Sequence, residues 1–208
     1  MKNDAPKEIR ILLLGESNSG KTKLFNQFIY GKEYKEHNTI GVDFETKIME
    51  YKNKKYKIRL FDTAGQERFQ SITQSYYLLG DGFFVVFDLT NEHSLNRIQY
   101  FVESLKECVE NPKIIILGII CENKDKLISE NIIKDKLSKY KDIPYIKVST
   151  LKNINIVQSF KMMIELVEGN EGNNEKNYKK INNNIDYKNV NNNELFTNNK
   201  KLMKYLNF

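Results

Sequence analysis

The eight residues from Gly15 to Thr22 read G-E-S-N-S-G-K-T and match the pattern G-x-x-x-x-G-K-[ST] at every fixed position. Glycines let such a loop wrap around a polyphosphate, so that its backbone N–H groups point inward. In this pattern Lys21 reaches the terminal phosphates and the hydroxyl of Thr22 binds Mg²⁺. The sequence therefore predicts a nucleotide-phosphate site. Its remaining contacts are expected from Ser17, Asn18, Ser19 and Gly20.

A second group of chemically suitable residues reads D-T-A-G-Q-E-R-F and starts at Asp62, directly after an apolar run that ends at Phe61. An aspartate at the end of a strand beside a phosphate loop suits a Mg²⁺ site, in which it binds the metal through water. Gly65 lets the backbone N–H approach the γ-phosphate. Gln66 can orient an attacking water, so we predict that it is the catalytic residue.

The elements that must position these groups alternate between short apolar runs and helical patterns. Buried parallel strands are predicted over Ile9–Leu14, Phe83–Phe87, Ile114–Ile120 and Tyr145–Val148. Strands at about Asp43–Tyr51 and Tyr56–Phe61, with a polar turn over Lys52–Lys55, are typical of a hairpin. Apolar residues share one helical face in two further segments: Leu95, Ile98, Val102, Leu105 and Val109, and then Ile156, Phe160, Met163, Ile164 and Val167.

This pattern predicts an α/β fold with a mostly parallel six-stranded sheet, one antiparallel edge strand and helices on both faces. Ligands of such sheets bind outside the carboxyl ends of the strands, where the loop at Gly15 falls. We expect residues 1–7 to be an extension and residues 8–168 to be the domain. Residues 169–208 are expected to be a disordered Asn/Lys-rich tail, because 14 of these 40 residues are asparagine.

Composition excludes several functional classes. The net charge of +6 comes without a basic stripe interleaved with aromatic residues, so nucleic acid is not an expected partner. No apolar run approaches the roughly 18 residues that a membrane-spanning helix needs. The two cysteines, Cys108 and Cys121, fall in apolar segments, which favours buried thiols in a reducing compartment.

A third segment, T-I-G-V-D-F from Thr39 to Phe44, begins 17 residues after Thr22. Together with the two motifs above and Y-Y-L-L-G at residues 76–80, it resembles the Rab branch of the Ras-like small GTPases over residues 8–168. The resemblance implies a GTP/GDP switch that binds Mg²⁺, hydrolyses GTP slowly and acts in vesicle and protein transport. Thr39 would complete the Mg²⁺ coordination, and Tyr34 would pack against guanine.

The resemblance also implies partners: effector proteins, an exchange factor and a GTPase-activating protein, bound through Thr39–Phe44 and Gly65–Gly80. The chain ends Leu206-Asn207-Phe208 with no cysteine after Cys121, whereas Rab proteins usually end in prenylated cysteines. We therefore expect a cytoplasmic protein, peripheral on endomembranes, whose membrane contact is weak or indirect.

The base-recognition motif of the family, Asn-Lys-x-Asp, is altered. A gapless alignment places Ile119-Ile120-Cys121-Glu122 on it, whereas Asn123, Lys124 and Asp125 could reach back from a longer loop. The next base-contacting segment, Ser149-Thr150-Leu151, begins 27 residues after Glu122 but 24 after Asp125, and the former is closer to the family interval. Both alignments remain open.

The matching motifs and the altered base motif together leave three alternative functions: a GTP-hydrolysing switch, a nucleotide-holding interaction module with weakened guanine selectivity, and an ATPase of another family. The first is favoured by the presence of Thr39, Asp62, Gly65 and Gln66. The second is favoured by the altered base motif. The third is opposed by the segment that begins at Asp62.

Overall fold

A computed structural model describes residues 5–31, 41–65, 75–120 and 126–169. These residues form one six-stranded sheet in which every neighbouring pair is parallel except β2 with β3. In sheet order the strands are β2 (Val42–Tyr51), β3 (Lys54–Thr63), β1 (Lys7–Gly15), β4 (Gly82–Asp88), β5 (Ile114–Ile120) and β6 (Tyr145–Ser149). The predicted sheet, with one antiparallel edge strand, is confirmed.

The strand β1 lies in the interior of the sheet, between β3 and β4. Its side chains alternate between two cores: Ile11 and Leu13 join the core on one face, and Leu12 and Leu14 join the core on the other. Since both faces are covered, parallel strands of this kind are continuously apolar, which is why they stood out in the sequence. The loop that follows β1 is therefore attached to the buried half of this strand, from Ile11 to Gly15.

The helices lie on both faces of the sheet. They are α1 (Lys21–Tyr30), α2 (Glu92–Asn96), α3 (Ile98–Cys108), α4 (Glu130–Leu137), a 3₁₀ turn (Ser138–Tyr140) and α5 (Ile156–Val167). The apolar face predicted over residues 95–109 is shared by two helices, α2 and α3, which meet at Arg97. The backbone of Arg97 keeps helical angles, and for that reason the apolar spacing continues across the junction.

The helix α4 did not stand out in the sequence. Ile133 is its only buried residue, so its apolar period is weak. A local signal marks its start, because the side chain of Ser129 accepts a hydrogen bond from the N–H of Ile132.

The β2–β3 hairpin turns at Lys52 and Asn53, both with positive φ, which is a tighter turn than the four residues predicted. The hydroxyl of Tyr51 and the ammonium of Lys52 both donate to Glu165 on α5, at 2.6 and 2.5 Å. At mid-strand, Lys47 donates to the carbonyl of Phe28 in the last turn of α1. The edge strand is thus joined to two helices.

Burial corrects one prediction. Cys108 is the last residue of α3 and is exposed, so the expectation of a buried thiol at this position was wrong. The buried face of α3 consists of Ile98, Phe101, Val102, Ser104 and Leu105, and the exposed thiol follows where this face ends. Cys121 lies outside the described residues.

Residues 170–208 also lie outside the described residues, so the assignment of residues 169–208 as a disordered tail stays a prediction. No helix in the described ranges is long and apolar enough to cross a membrane.

Candidate nucleotide site

The phosphate loop connects β1, which ends at Gly15, to α1, which begins at Lys21. A Cβ atom at Gly15 would lie 2.3 Å from the carbonyl oxygen of Val86, so only glycine fits between the loop and β4. Asn18 and Gly20 have φ of 60° and 96°, the left-handed region that turns the backbone back on itself. The loop therefore has the tight, concave path that an oxyanion-binding turn requires.

The side chain of Lys21 is buried, and its ammonium donates to the carbonyls of Gly15 and Glu16 at 2.9 and 2.8 Å. Burial lowers the pKa of Lys21 to about 8, although the carboxylates of Asp62 and Glu16 oppose this shift. The cation therefore lies across the loop, where a polyphosphate would provide the negative charge that favours its protonated form.

The hydroxyl of Thr22 donates to Oδ2 of Asp62 at 2.7 Å. This contact follows from the register of two strands: Leu13 of β1 pairs with Asp62 of β3, which brings the end of β3 beside the loop. The hydroxyl of Thr63 secures the same junction by donating to the carbonyl of Leu13 at 2.6 Å. A hydroxyl and a carboxylate oxygen are ligands that Mg²⁺ prefers.

Gly65 lies against the loop. A Cβ atom at this position would be 2.5 Å from both Nζ of Lys21 and the amide nitrogen of Ser17, so a larger residue would displace the backbone. Nearby in the loop, the hydroxyl of Ser19 is buried and makes no hydrogen bond within the described part of the chain. This donor, the lysine and the close approach of Gly65 fit a Mg²⁺-bound polyphosphate.

The predicted base-contacting residues meet at the ends of β5 and β6. Ile119 and Ile120 are buried in β5, and Ile120 pairs with Ser149 in β6. The N–H of Thr150 donates to the carbonyl of Ile120 at 3.2 Å, and Leu151 is exposed. The other predicted positions lie outside the described residues: Tyr34, Thr39, Gln66, Glu122, Asn123, Lys124 and Asp125.

The sequence did not indicate one neighbour of the loop, Arg97, which lies between α2 and α3. Its Nε donates to the carboxylate of Glu16 at 3.0 Å. The two residues are 81 positions apart, and neither belongs to the fixed positions of a motif. Only the fold brings them together.

Three neighbouring aromatic rings connect the β2–β3 hairpin to the segment at residues 75–77. The centroid of Phe61 is 5.6 Å from that of Phe44 and 6.4 Å from that of Tyr76. The guanidinium of Arg59 lies 4.3 Å from the centroid of Phe44. Phe44 is 47% exposed and Leu78 is 74% exposed, so this face presents apolar surface to solvent.

Comparison with known proteins agrees with this geometry. The model of the Ras family matches residues 10–169, which include both glycine-containing loops and the whole sheet except the first three residues of β1. The chain belongs to the Ras family.

Within the Ras family its relatives include Rab and Ypt proteins. It is 36% identical over 160 residues to human Ras-related protein Rab-15, covering 76% of each chain. It is 32% identical to GTP-binding protein ypt1 of Schizosaccharomyces pombe, covering 79% of this chain and 82% of the relative. Human Rab-27A is 33% identical, with 76% and 78% covered. This Ras-family chain is therefore a Rab-like small GTPase, as the motifs predicted.

Proposed function

We propose that the protein is a GTP/GDP switch that binds its nucleotide together with Mg²⁺ and hydrolyses GTP slowly. The observation that carries this proposal is the contact between Thr22 and Asp62, with Gly65 packed against Lys21 and Ser17. A hydroxyl, a carboxylate, a buried lysine and a close-packed glycine thus converge at the carboxyl end of β1 and β3. This set matches the needs of β- and γ-phosphates with their metal.

In this proposal Lys21 and the N–H groups of the loop hold the phosphates, and Thr22, Asp62 and Thr39 hold Mg²⁺. The metal would neutralise the charge of the phosphate oxygens when it is bound. Gln66 would orient the attacking water. The loop from Gly15 to Thr22 contains no arginine, so we expect slow intrinsic turnover that a partner's arginine accelerates.

Switching would follow from contacts that only the γ-phosphate makes. Thr39, through the metal, and Gly65, through its N–H, would be held when the γ-phosphate is present and released after hydrolysis. The segments Thr39–Phe44 and Gly65–Gly80 would then present different surfaces to effectors, an exchange factor and an activating protein. The exposed aromatic face around Phe44 supports this placement, because aromatic residues are enriched at protein interfaces.

The cellular role is proposed from the relatives. Several are Rab or Ypt proteins, which supports a role in vesicle and intracellular protein transport. We propose a cytoplasmic protein that is peripheral on endomembranes, with membrane contact that is weak or provided by a partner.

A nucleotide-holding module with weak guanine selectivity is the second candidate, and a specific observation favours it. Ile119 is fully buried in β5, where an amide side chain would be needed to read guanine in the gapless alignment. The N–H of Thr150 already donates to Ile120. In this alternative the phosphate site holds a nucleotide but the base contributes little to recognition.

The nucleotide itself distinguishes the candidates. The purified protein would be heat-denatured and the released nucleotide separated chromatographically, with a Lys21→Ala variant prepared in parallel as the control. Release of GDP or GTP from the wild type supports the switch, an empty protein supports the module, and ADP or ATP supports an ATPase of another family.

Hydrogen exchange tests switching separately. A GTP analogue should protect the backbone around Thr39–Phe44 and Gly65–Tyr77 more than GDP does, because only the analogue supplies the γ-phosphate. Equal protection by the two nucleotides would contradict the switch and favour a static module.

A further inference from the structure

An ion pair connects the phosphate loop to the α2–α3 junction. Nε of Arg97 donates to Oε2 of Glu16 at 3.0 Å, and the other carboxylate oxygen accepts from the N–H of Ser17 at 3.1 Å. The guanidinium also lies 4.5 Å from the ring centroid of Tyr100, a cation–π arrangement. The side chains of Glu16 and Arg97 are 13% and 27% exposed. Both groups are therefore held in place and partly shielded from water.

The position of this carboxylate raises an electrostatic problem. Glu16 is the second residue of a loop that is built to bind a polyanion, and its carboxylate takes a hydrogen bond from a loop amide. A negative charge in a partly buried position repels a bound phosphate over several ångströms, because the effective dielectric constant is well below that of water. Arg97 provides the compensating positive charge.

The same region includes Gly65. A Cβ atom on Gly65 would lie 2.5 Å from the nitrogen of Ser17, the same nitrogen that donates to Glu16. Glu16, which pairs with Arg97, is therefore next in sequence to Ser17, the residue that Gly65 approaches. The terminal phosphate is expected at this approach.

We propose that Arg97 is a positioning residue that neutralises Glu16 and thereby sets the affinity of the phosphate loop for triphosphate relative to diphosphate. This inference rests on the proposed nucleotide site. Removal of Arg97 leaves an uncompensated carboxylate beside the loop, whereas removal of the Glu16 charge leaves an uncompensated guanidinium. The two changes should therefore shift phosphate binding in opposite directions.

The test is a double-mutant cycle on the full chain, made from Arg97→Ala, Glu16→Gln and both together. Glutamine keeps the shape of Glu16 and an oxygen that accepts from Ser17, so Glu16→Gln removes the charge alone. Dissociation constants are measured for a non-hydrolysable GTP analogue, GDP, tripolyphosphate and pyrophosphate at low and high salt. The inorganic probes remove any contribution of the base.

For Arg97→Ala we expect affinity for the GTP analogue and tripolyphosphate to fall by roughly fivefold, and that for GDP and pyrophosphate by less. Glu16→Gln should raise triphosphate affinity by a similar factor. The double variant should bind like the wild type, and Arg97→Lys should retain most of the affinity. All of these shifts should shrink at high salt.

A matched control exists in the first half of β1, away from the phosphate loop. Arg10 forms an ion pair with Asp81 at 2.8 Å, and it precedes Gly15 by five residues, about 16 Å along a strand. Arg10→Ala should lower thermal stability without changing the triphosphate-to-diphosphate affinity ratio.

Several results would overturn the inference. One is a loss of affinity in both single variants, as a purely structural ion pair would produce. A second is an equal loss of triphosphate and diphosphate affinity in Arg97→Ala. A third is a change in the triphosphate-to-diphosphate affinity ratio in Arg10→Ala that matches the change in Arg97→Ala. If the wild type binds tripolyphosphate but no guanine nucleotide, the proposed function fails and the cycle still decides this inference. If it binds neither, both fail.

Discussion

The hydroxyl of Thr22 and the carboxylate of Asp62 are joined by a hydrogen bond of 2.7 Å, which links the first turn of α1 to the end of β3. A metal between the loop and β3 would use both groups. Asp62→Asn keeps the size of the side chain but removes its charge. We expect the Mg²⁺ concentration that half-maximally slows GDP release to rise by about 10- to 100-fold.

The measurement for Asp62→Asn is release of a fluorescent GDP analogue during a Mg²⁺ titration. Asp81→Asn is the matched control, because Asp81 pairs with Arg10 away from the loop. A Mg²⁺ dependence that is the same in wild type and Asp62→Asn would exclude Asp62 from the metal site.

Gly65→Ala should weaken binding of a GTP analogue more than binding of GDP. The added Cβ atom would be placed 2.5 Å from Lys21 Nζ and from Ser17 N, so the segment must withdraw from the loop. Calorimetric titration with both nucleotides measures the difference. Gly31→Ala is the control: it introduces strain at φ +70°, but its Cβ atom would meet nothing within 4 Å among the described residues, so it should cost stability and leave both affinities unchanged.

The stability of the nucleotide-free protein should depend on pH through Lys21. The pKa of Lys21 is about 8 in the fold against 10.5 in the unfolded chain, so between these values the unfolded state binds more protons. Stability from this group therefore rises as the pH increases from about 8 to 10.5 and is constant below about 8. Denaturant unfolding across this range should show a rise in wild type that Lys21→Met lacks. An identical pH profile in the two proteins would contradict the lowered pKa.

Gln66→Leu should slow GTP hydrolysis and leave nucleotide affinity nearly unchanged, because Gln66 is proposed to orient water and not to bind phosphate. Single-turnover phosphate release measures the rate, and competition binding measures the affinity. If Gln66→Leu hydrolyses GTP at the wild-type rate, a group other than Gln66 must position the water.

The base motif can be assigned by two alanine variants. If the gapless alignment is right, Glu122→Ala should weaken GDP binding by about 1.5–3 kcal/mol and Asp125→Ala should have little effect. Restoring Asn at position 119 and Asp at position 122 together should widen the preference for GDP over ADP. Competition binding with GDP, XDP and ADP provides the readout.

The reverse pattern, with Asp125→Ala abolishing binding and Glu122→Ala silent, would assign recognition to the longer loop. If neither change matters, base selectivity is slight and the interaction module becomes the better account. Since Ile119 is fully buried, Ile119→Asn alone should also destabilise the nucleotide-free protein, because it buries an amide in an apolar core.

Much of the fold was predictable because its central strands are covered on both faces. Ile114–Ile120 was predicted to the residue, and β4 and β6 extend only one residue beyond the predicted ends. The helix α4 was not identified, because a helix with one buried residue leaves almost no period in the sequence.

The residues proposed to bind phosphate and Mg²⁺ were predictable for a different reason. Their chemistry depends on a short loop in which spacing along the chain fixes spacing in the molecule, as from Gly15 to Thr22. The pairing of Glu16 with Arg97 has no such local origin, because a contact across 81 residues exists only after the sheet has formed. The exposure of Cys108, the last residue of α3, likewise depends on tertiary packing and not on its apolar neighbours in the sequence.

The strand β2 occupies one edge of the sheet, and a ten-residue edge is long enough to act as a template on which further strands could add. Its sequence opposes such growth. The strand contains the acids Asp43, Glu45 and Glu50, and a second copy laid alongside would bring like charges close together. Lys47 is also engaged with the end of α1. The protein can therefore expose a long strand in a crowded solution while resisting aggregation through it.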